Sequence, residues 1–469
     1  MLSNRIFWCV FCVKRLVGGI TMLLSLKVEN FRSLKNEVVF DLSGTSSSNH
    51  LSDHLIKVPN SSDYVVRTLG IYGPNASGKS NLLKVFRALN YLVDDAAALK
   101  EGESIKCYEP YTLCQTTIDA PTKFEIDFVV DELRYKYKIH FKKTEIILES
   151  LDCFYSKQPS NLFTRKTEGW ENIKFGAQFK GGVKKVPFGN NNSYLSKIGL
   201  VQEAPKVIEK IYDYFIGVIC PIGMNSSFNL LHLQDESFRD ILVETTSSFL
   251  SLVDTGVKSI RIEENKNIDI KLPDDIPEDL RERIIAENLH SFKFEHDTDS
   301  GDSSEIDIED ESDGTRRLFE LTPAIVSALL MQRVLVIDEI DHSMHPHLAA
   351  LLVRLFNDSE VNGKNSQLIF STHNIELMKP DRMRRDQIWF SEKNKGETNI
   401  FSLDDFDKDK VKTSSPFNKW YDEGRFGGTP SINYGKIRDY FIHLASEDEV
   451  DEPSEELFGD VNDIPEDLR

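Results

Sequence analysis

The chain runs to 469 residues, with 76 acidic side chains against 56 basic ones and a formal net charge of −20. That length exceeds what one simple core usually holds, so a large domain with insertions, or two lobes, is expected. The acidic balance disfavours nucleic acid as a default partner, although a local basic patch would still bind it.

Residues 1–21 carry a short apolar patch followed by Lys14 and Arg15, the reverse of a secretory signal. The patch is too short to span a bilayer, and no later segment qualifies, so a cytoplasmic protein without a membrane partner is expected. Cys9 and Cys12 form a lone C-x-x-C that lacks the second pair a zinc site needs. With Cys107, Cys114, Cys153 and Cys220 they fit a reducing compartment. Met22 opens the first convincing strand, so residues 1–21 read as an upstream extension.

Residues 23–30 and 36–42 predict a strand pair bracketing Phe31-Arg32-Ser33, and 43–63 a loop rich in Ser, Asn and His. Residues 65–72 form an apolar strand pattern that ends in Gly73–Ser80, GPNASGKS. This reproduces the phosphate-loop pattern G-x-x-x-x-G-K-[ST] without a mismatch. Leu82, Leu83, Phe86, Leu89 and Leu92 then recur at helical spacing through residue 93. In a strand, loop and helix of this order, backbone N–H groups and the helix N-terminus face an anion. Lys79 reaches the terminal phosphates and the Ser80 hydroxyl reaches Mg²⁺. Asn75, Gly78, Lys79, Ser80 and Asn81 are therefore the candidate nucleotide contacts.

Residues 123–130 and 134–141 alternate polar with apolar side chains about Asp131, Glu132 and Leu133, which predicts a hairpin continued by 145–154. Residues 169–192 are Gly-, Lys- and Asn-rich and read as a loop. Helices are expected at 205–215, 237–252 and 277–288. No heptad pattern is sustained, so no long coiled coil is expected. The acidic runs 295–313 and 447–467 read as a solvated linker and a disordered tail.

The second half of a nucleotide site follows. Residues 334–337 form a short buried-strand pattern ending in Asp338-Glu339, where an Asp holds a Mg²⁺ shell and the next Glu polarises the attacking water. Residues 367–370 form another apolar strand, closed by Ser371-Thr372-His373-Asn374, with His373 placed to bond a γ-phosphate. Upstream, Glu311-Ser312-Asp313-Gly314-Thr315-Arg316-Arg317 leads into an apolar helix over 318–331. Its Ser and Gly suit a helix N-terminus that contacts phosphate from a second subunit.

The order of NFRSL, GPNASGKSN, ESDGTRR, VLVIDEIDHSMHP and FSTHN resembles the ABC-type ATPases of the structural-maintenance and RecF kind. Within them it is most similar to the AAA15 family of prokaryotic ATPases, with further matches at residues 121–128, 384–390 and 421–430. The resemblance implies an α/β fold, an ABC-type P-loop ATPase head. A central mixed sheet flanked by helices would carry an antiparallel β subdomain and a helical insertion lobe. Its parts would be 22–160 and 312–445 for the head, 161–294 for a mostly helical insertion, 295–311 for an acidic loop and 446–469 for the tail.

By the same resemblance ATP and Mg²⁺ are the cofactors, and Ser80 and Asp338 hold the metal. Glu339 is the catalytic base and His373 the switch histidine. Ser312 and Gly314 would act on ATP held by a partner copy, and Arg32 would stand near the nucleotide. Two departures stand out: ESDGTRR replaces the fuller LSGGQ signature, and His345 occupies the place of a closing Asp. Gln115 is a candidate for the glutamine that senses the γ-phosphate.

A site of this type is complete only when two chains face each other, so a homodimer or higher even assembly is expected. Related ATPases serve anti-phage and abortive-infection systems, often beside a nuclease or other toxic effector. A regulator of such an effector is therefore the leading expectation. The alternatives are a RecF-like or Rad50-like DNA-repair ATPase, and a nuclease-linked ATPase of the overcoming-lysogenization-defect type. Asp404, Asp405, Asp407 and Asp409, interleaved with lysines, read as a solvated turn, and Gly424, Gly427 and Gly428 as a packing loop.

Overall fold

The computed structural model describes residues 19–45, 50–167, 169–223, 236–264, 276, 290–430 and 432–446. They divide into a large unit, Met1–Thr429, and a small one, Pro430–Arg469.

The chain opens with β1 (Met22–Glu29) and β2 (Val38–Asp41), which pair antiparallel. Three short strands follow, β3 (Ser43–Gly44), β4 (Leu55–Lys57) and β5 (Tyr64–Val66), and form a small sheet of their own; β3 and β4 lie where a plain loop was expected, and β5 splits off the start of the single strand expected at 65–72. Next come β6 (Thr68–Tyr72), α1 (Lys79–Val93) and the single turn α2 (Gln115–Ile118). A meander then runs through β7 (Thr122–Val130), β8 (Leu133–Phe141), β9 (Ile146–Phe154), β10 (Ser160–Lys166) and β11 (Lys174–Phe175). It joins the first pair in a seven-stranded antiparallel sheet of order β11-β10-β9-β8-β7-β1-β2. Alternate burial along β8 is the expected period of two. Asp131 and Glu132 both take positive φ, 50° and 64°, which a two-residue hairpin turn requires.

The second half supplies α3 (Tyr194–Ile198), α4 (Lys206–Asp213), β12 (Ile219–Ile222), α5 (Glu236–Leu252), β13 (Val257–Glu264), β14 (His290–Asp297) and β15 (Ser303–Asp307). After them come α6 (Asp313–Met331), β16 (Val334–Ile337), α7 (Pro346–Asn357), β17 (Gln367–Ser371), β18 (Ile388–Asn394), β19 (Glu397–Ser402) and α8 (Phe417–Asp422). The central sheet has the order β12-β16-β17-β6-β18-β19, parallel except for β19. Every residue of β6, β16 and β17 is buried, so these strands are covered on both faces. Parallel alignment sends the ends of β6, β16 and β17 to one edge, where ligands of open α/β sheets bind. The Gln367 side chain fastens the two large sheets, accepting from Leu23 N at 2.7 Å and donating to Leu23 O at 3.1 Å.

Three expectations are corrected. The described part of residues 161–294 carries strands beside its helices: β10 and β11 finish the antiparallel sheet and β12 joins the central one, so this stretch is not a separate lobe of helices alone. Phe163, which pairs with Phe175, and Ile219, opposite Val334, are buried strand residues whose partners lie elsewhere in the chain. The helix expected at 277–288 lies outside the described residues. The acidic stretch 295–311 is not a loop, because β15 pairs with β14 there. Its acids are matched by bases on neighbouring strands: Lys293 to Asp307 at 2.6 Å, Lys258 to Asp297 at 2.9 Å, and Arg261 to both Glu295 and Glu305. This three-stranded sheet packs Phe292 and Phe294 against Phe319 of α6. Finally, residues 19–21 of the supposed extension belong to the fold, with Thr21 buried and its Oγ1 donating to Gln332 O. The remainder of that extension and residues 447–469 lie outside the described residues.

The small unit contributes α9 (Tyr434–Ser446). Among the described residues no helix is long and apolar enough to cross a membrane.

His54 sits buried beneath the central sheet, its Nδ1–H donating to Gln387 Oε1 at 2.8 Å. Burial holds its pKa below the usual 6.5, against a weaker upward pull from the Gln387 bond. The folded state therefore refuses a proton that the unfolded chain accepts below about pH 6.5, so stability is lost as pH falls through that region. The thermal midpoint is expected to drop between pH 7.5 and 5.5, and to drop less in His54→Gln; an equal drop in both proteins would count against this origin.

Candidate functional site

The phosphate loop leaves β6 at Gly73 and enters α1 at Lys79. Gly78 has a φ of 110°, and a Cβ there would lie 2.1 Å from Thr398 Oγ1, so only glycine fits. A Cβ at Gly73 would come within 2.3 Å of the Ser391 carbonyl. The β18–β19 hairpin thus presses against the back of the loop and grips it: Ser77 O accepts from Thr398 Oγ1 at 2.8 Å and from Ser391 Oγ at 3.1 Å. Lys79 is 5% exposed and its Nζ donates to Gly73 O at 2.8 Å and Pro74 O at 3.1 Å. Burial holds its pKa below the ordinary lysine value, partly offset by Glu339, Asp338 and Asp341 nearby.

Asp338, directly after β16, joins three elements. Its Oδ1 accepts from Ser80 Oγ of α1 at 3.0 Å and from Ser371 Oγ of β17 at 2.6 Å. Ser371 Oγ in turn accepts the Glu339 N–H at 2.7 Å. Glu339 itself adopts a φ of 52°, a left-handed conformation that is costly for a side chain of this size and held by its surroundings. Its Oε2 lies 3.6 Å from His342 Nδ1. Asp341 accepts from Thr372 Oγ1 at 2.7 Å and from the His373 N–H at 3.2 Å, which fixes the backbone beneath the exposed His373 ring. Desolvation and the nearby Lys79 hold His373 below the usual histidine range, so the ring is neutral at pH 7.

Lys79, Ser80, Asp338, Glu339 and His373 are thus gathered at one edge of the sheet. Asn81, one residue beyond Ser80, donates its amide to Ser33 Oγ at 2.7 Å, and the Ser33 and Thr398 hydroxyls are hydrogen-bonded to each other at 2.7 Å. This docks the segment carrying Arg32 on the start of α1. The Arg32 guanidinium is paired with Glu109, its Nε 2.5 Å from Oε2. Asn75 is exposed on the crest of the loop.

Ser312 and Gly314 lie elsewhere, at the start of α6. Ser312 Oγ caps that helix, accepting Thr315 N–H at 3.1 Å, and a Cβ on Gly314 would meet Ser343 O at 3.1 Å. No hydrogen bond joins either residue to the phosphate loop among the described residues. His345 caps α7, and Gln115 stands exposed at the start of α2.

Four participants escaped the sequence reading. Ser33, Asp341 and Ser371 lay inside stretches already singled out, where short polar residues beside a motif were a usable signal. Thr398 lies some three hundred residues from the loop that it supports, and nothing local marks it.

The donor set suits a magnesium nucleotide. Lys79 already spends its protons on carbonyls of its own loop, so a cation stands in the hollow that an anion would fill. The Ser80 hydroxyl and Asp338 carboxylate offer adjacent hard oxygens, the few protein ligands that Mg²⁺ takes when phosphate and water supply the rest. The same residues would hold both groups.

A family model described as "AAA domain, putative AbiEii toxin, Type IV TA system" matches residues 69–199 and 225–379, well over half of the chain. Among solved structures, the SmcHead bound to the C-winged helix domain of ScpA is similar at 14% identity, covering 81% of this chain and 97% of that one with a TM-score of 0.41. The SMC head domain from Thermotoga maritima shares 14% identity over 81% of this chain and 98% of that chain, with a TM-score of 0.36. The Smc head domain with an extended coiled coil, bound to the C-terminal domain of ScpA derived from Pyrococcus furiosus, shares 13% over 87% and 100%, with a TM-score of 0.38. No curated protein sequence matches the chain.

Removing the Ser371 hydroxyl would take from the Asp338 carboxylate one of its two hydroxyl donors and leave the Glu339 N–H without its acceptor. Ser371→Ala is expected to lower stability by about 1–3 kcal/mol, read as a lower urea midpoint at unchanged m-value. A midpoint equal to that of the parent would show that the bridge carries no such weight.

Proposed function

The chain belongs to this family of AAA domains, and from that premise we propose that it binds ATP with Mg²⁺ and hydrolyses it at a site completed by a second copy of itself. The observation that carries the proposal is the Asp338 carboxylate held between Ser80 and Ser371 with Glu339 beside it. No single motif produces that juxtaposition; three separate strands must end together.

In this reading Lys79 exchanges the Gly73 and Pro74 carbonyls for phosphate oxygens, and the N–H groups at the start of α1 take the remaining charge. Ser80 and Asp338 would hold Mg²⁺, which would neutralise phosphate charge when bound. Glu339, anchored through its backbone, presents its carboxylate to the attacking water and orients it for in-line displacement. His373, neutral and fixed from below by Asp341, bonds the γ-phosphate. Catalysis is then mainly positioning and electrostatics.

The start of α6 supports the two-chain arrangement. Ser312 is exposed, and no hydrogen bond among the described residues joins it or Gly314 to the chain's own phosphate loop, so this helix N-terminus remains available to the phosphates of a facing copy. ATP would act as glue and hydrolysis as release. We infer further that the resulting conformational signal holds or frees a separate toxic effector in anti-phage defence, of the nuclease kind, in keeping with the AAA15 resemblance and with a family description that names a toxin–antitoxin system.

Two variants test the cycle. Glu339→Gln is expected to cut hydrolysis by about 10²–10⁴-fold, the usual worth of a general base, and to accumulate an ATP-dependent dimer in light scattering. Lys79→Ala is expected to show neither hydrolysis nor ATP-dependent association. Equal assembly of both variants with and without ATP would refute ATP gating. Growth arrest on expressing this chain alone would refute the regulator assignment.

A further inference from the structure

A cleft lined by none of the nucleotide-site residues opens between α7 and the short turn at Ile375–Met378, with a volume of about 540 Å³. This falls within the size range of small-ligand pockets. Its buried wall includes Asn357 and His54, and both are committed on one side only. Asn357 Oδ1 accepts from Thr68 Oγ1 at 3.0 Å and from Gln387 Nε2 at 3.1 Å, which fixes the amide's orientation. The Asn357 amide nitrogen, on a side chain only 4% exposed, donates to no atom among the described residues. His54 uses Nδ1–H on Gln387, which leaves Nε2 as an acceptor on the cleft side. A donor and an acceptor with no protein partner among the described residues, both carried on buried side chains that line the cleft, offer an edge to a complementary ligand edge.

The rim carries a different chemistry. Arg354 and Arg382 line it beside Asp381, with Arg382 also donating to Glu376 O at 3.3 Å, while Leu351 supplies an apolar flank. Cations at the mouth, an apolar side and a donor–acceptor pair at the back describe an anionic heterocycle of nucleotide size. We propose that this cleft is a second, magnesium-independent site for a nucleoside phosphate. The base edge meets Asn357 and His54, the sugar packs by Leu351 and the phosphate meets Arg354 and Arg382.

The walls connect this cleft to the first site. One wall, α7, is the element that follows Asp338 and Glu339, and the other follows His373 directly. Met383, also in the lining, accepts a hydrogen bond from Tyr72 at the base of the phosphate loop, 3.4 Å away. A ligand that wedges or draws together these walls would therefore act on the residues that position the γ-phosphate, which makes the cleft a regulatory site.

The test uses the full-length Lys79→Ala protein, in which the phosphate loop is silenced, titrated calorimetrically with AMP, GMP, CMP and UMP without divalent cation. At least one is expected to bind, and to bind at least tenfold more tightly than inorganic phosphate alone. Arg354→Ala combined with Arg382→Ala, both at the mouth, is expected to weaken it at least tenfold. Leu351→Trp, which fills the cleft, is expected to abolish it. Absence of binding by all four nucleotides would overturn the proposal, as would binding unchanged by the arginine or tryptophan substitutions. Inorganic phosphate binding as tightly as any nucleotide would also overturn it, leaving a simple anion site. Because Lys79 is already replaced, failure here says nothing against ATP binding at the first site.

Discussion

One carboxylate oxygen organises the molecule's working edge. Asp338 Oδ1 accepts from a helix that starts after β6 and from the last residue of β17, while its own backbone ends β16. A buried carboxylate is tolerable only when hydrogen-bonded, so these two hydroxyls are the condition for placing an acid there at all. The consequence is geometric: the phosphate loop, the acidic pair and the segment after β17 are held in register by one carboxylate. The same Ser371 hydroxyl also receives the Glu339 N–H and helps to keep that residue in its left-handed conformation. Support and function are drawn from one set of bonds.

The back of the loop is built on the opposite principle, close contact without side chains. Gly73 and Gly78 are where strands from the far end of the chain press on the phosphate loop, and Thr398 fills the space that any larger residue at position 78 would need. The loop is clamped behind by two hydroxyls and in front by Lys79, so its N–H groups are aimed before any ligand arrives. Preorganisation of this kind is what electrostatic stabilisation of phosphate requires.

Much of this was legible in the chain. The strand ending at Tyr72, the helix from Lys79, the short strand before Asp338 and the one before Ser371 follow from apolar runs bounded by motifs, because buried parallel strands have no alternative pattern. The β7–β8 hairpin followed from strict alternation about Asp131 and Glu132. What could not be read was partnership. That β12 joins the central sheet, or that an acidic run becomes β15, depends on Val334 and Lys293 waiting elsewhere, and a local window contains neither. The site showed the same division: residues inside motifs were found, whereas Thr398 was invisible because its role is defined by a neighbour some three hundred positions away.

The place of β6 in the central sheet bears on how the protein is made. Its two neighbours, β17 and β18, begin at Gln367 and Ile388, so the strand that carries the phosphate loop lacks its full pair of partners until the ribosome has passed both. At synthesis rates of about 5–20 residues per second, the loop waits roughly 15–60 s for its flanking strands. During translation Thr68–Tyr72 stays without its flanking strands, and the nucleotide site comes into being only after β17, β18 and β19 have followed. A truncated product of this gene would carry the phosphate-loop sequence without the pocket that gives it meaning.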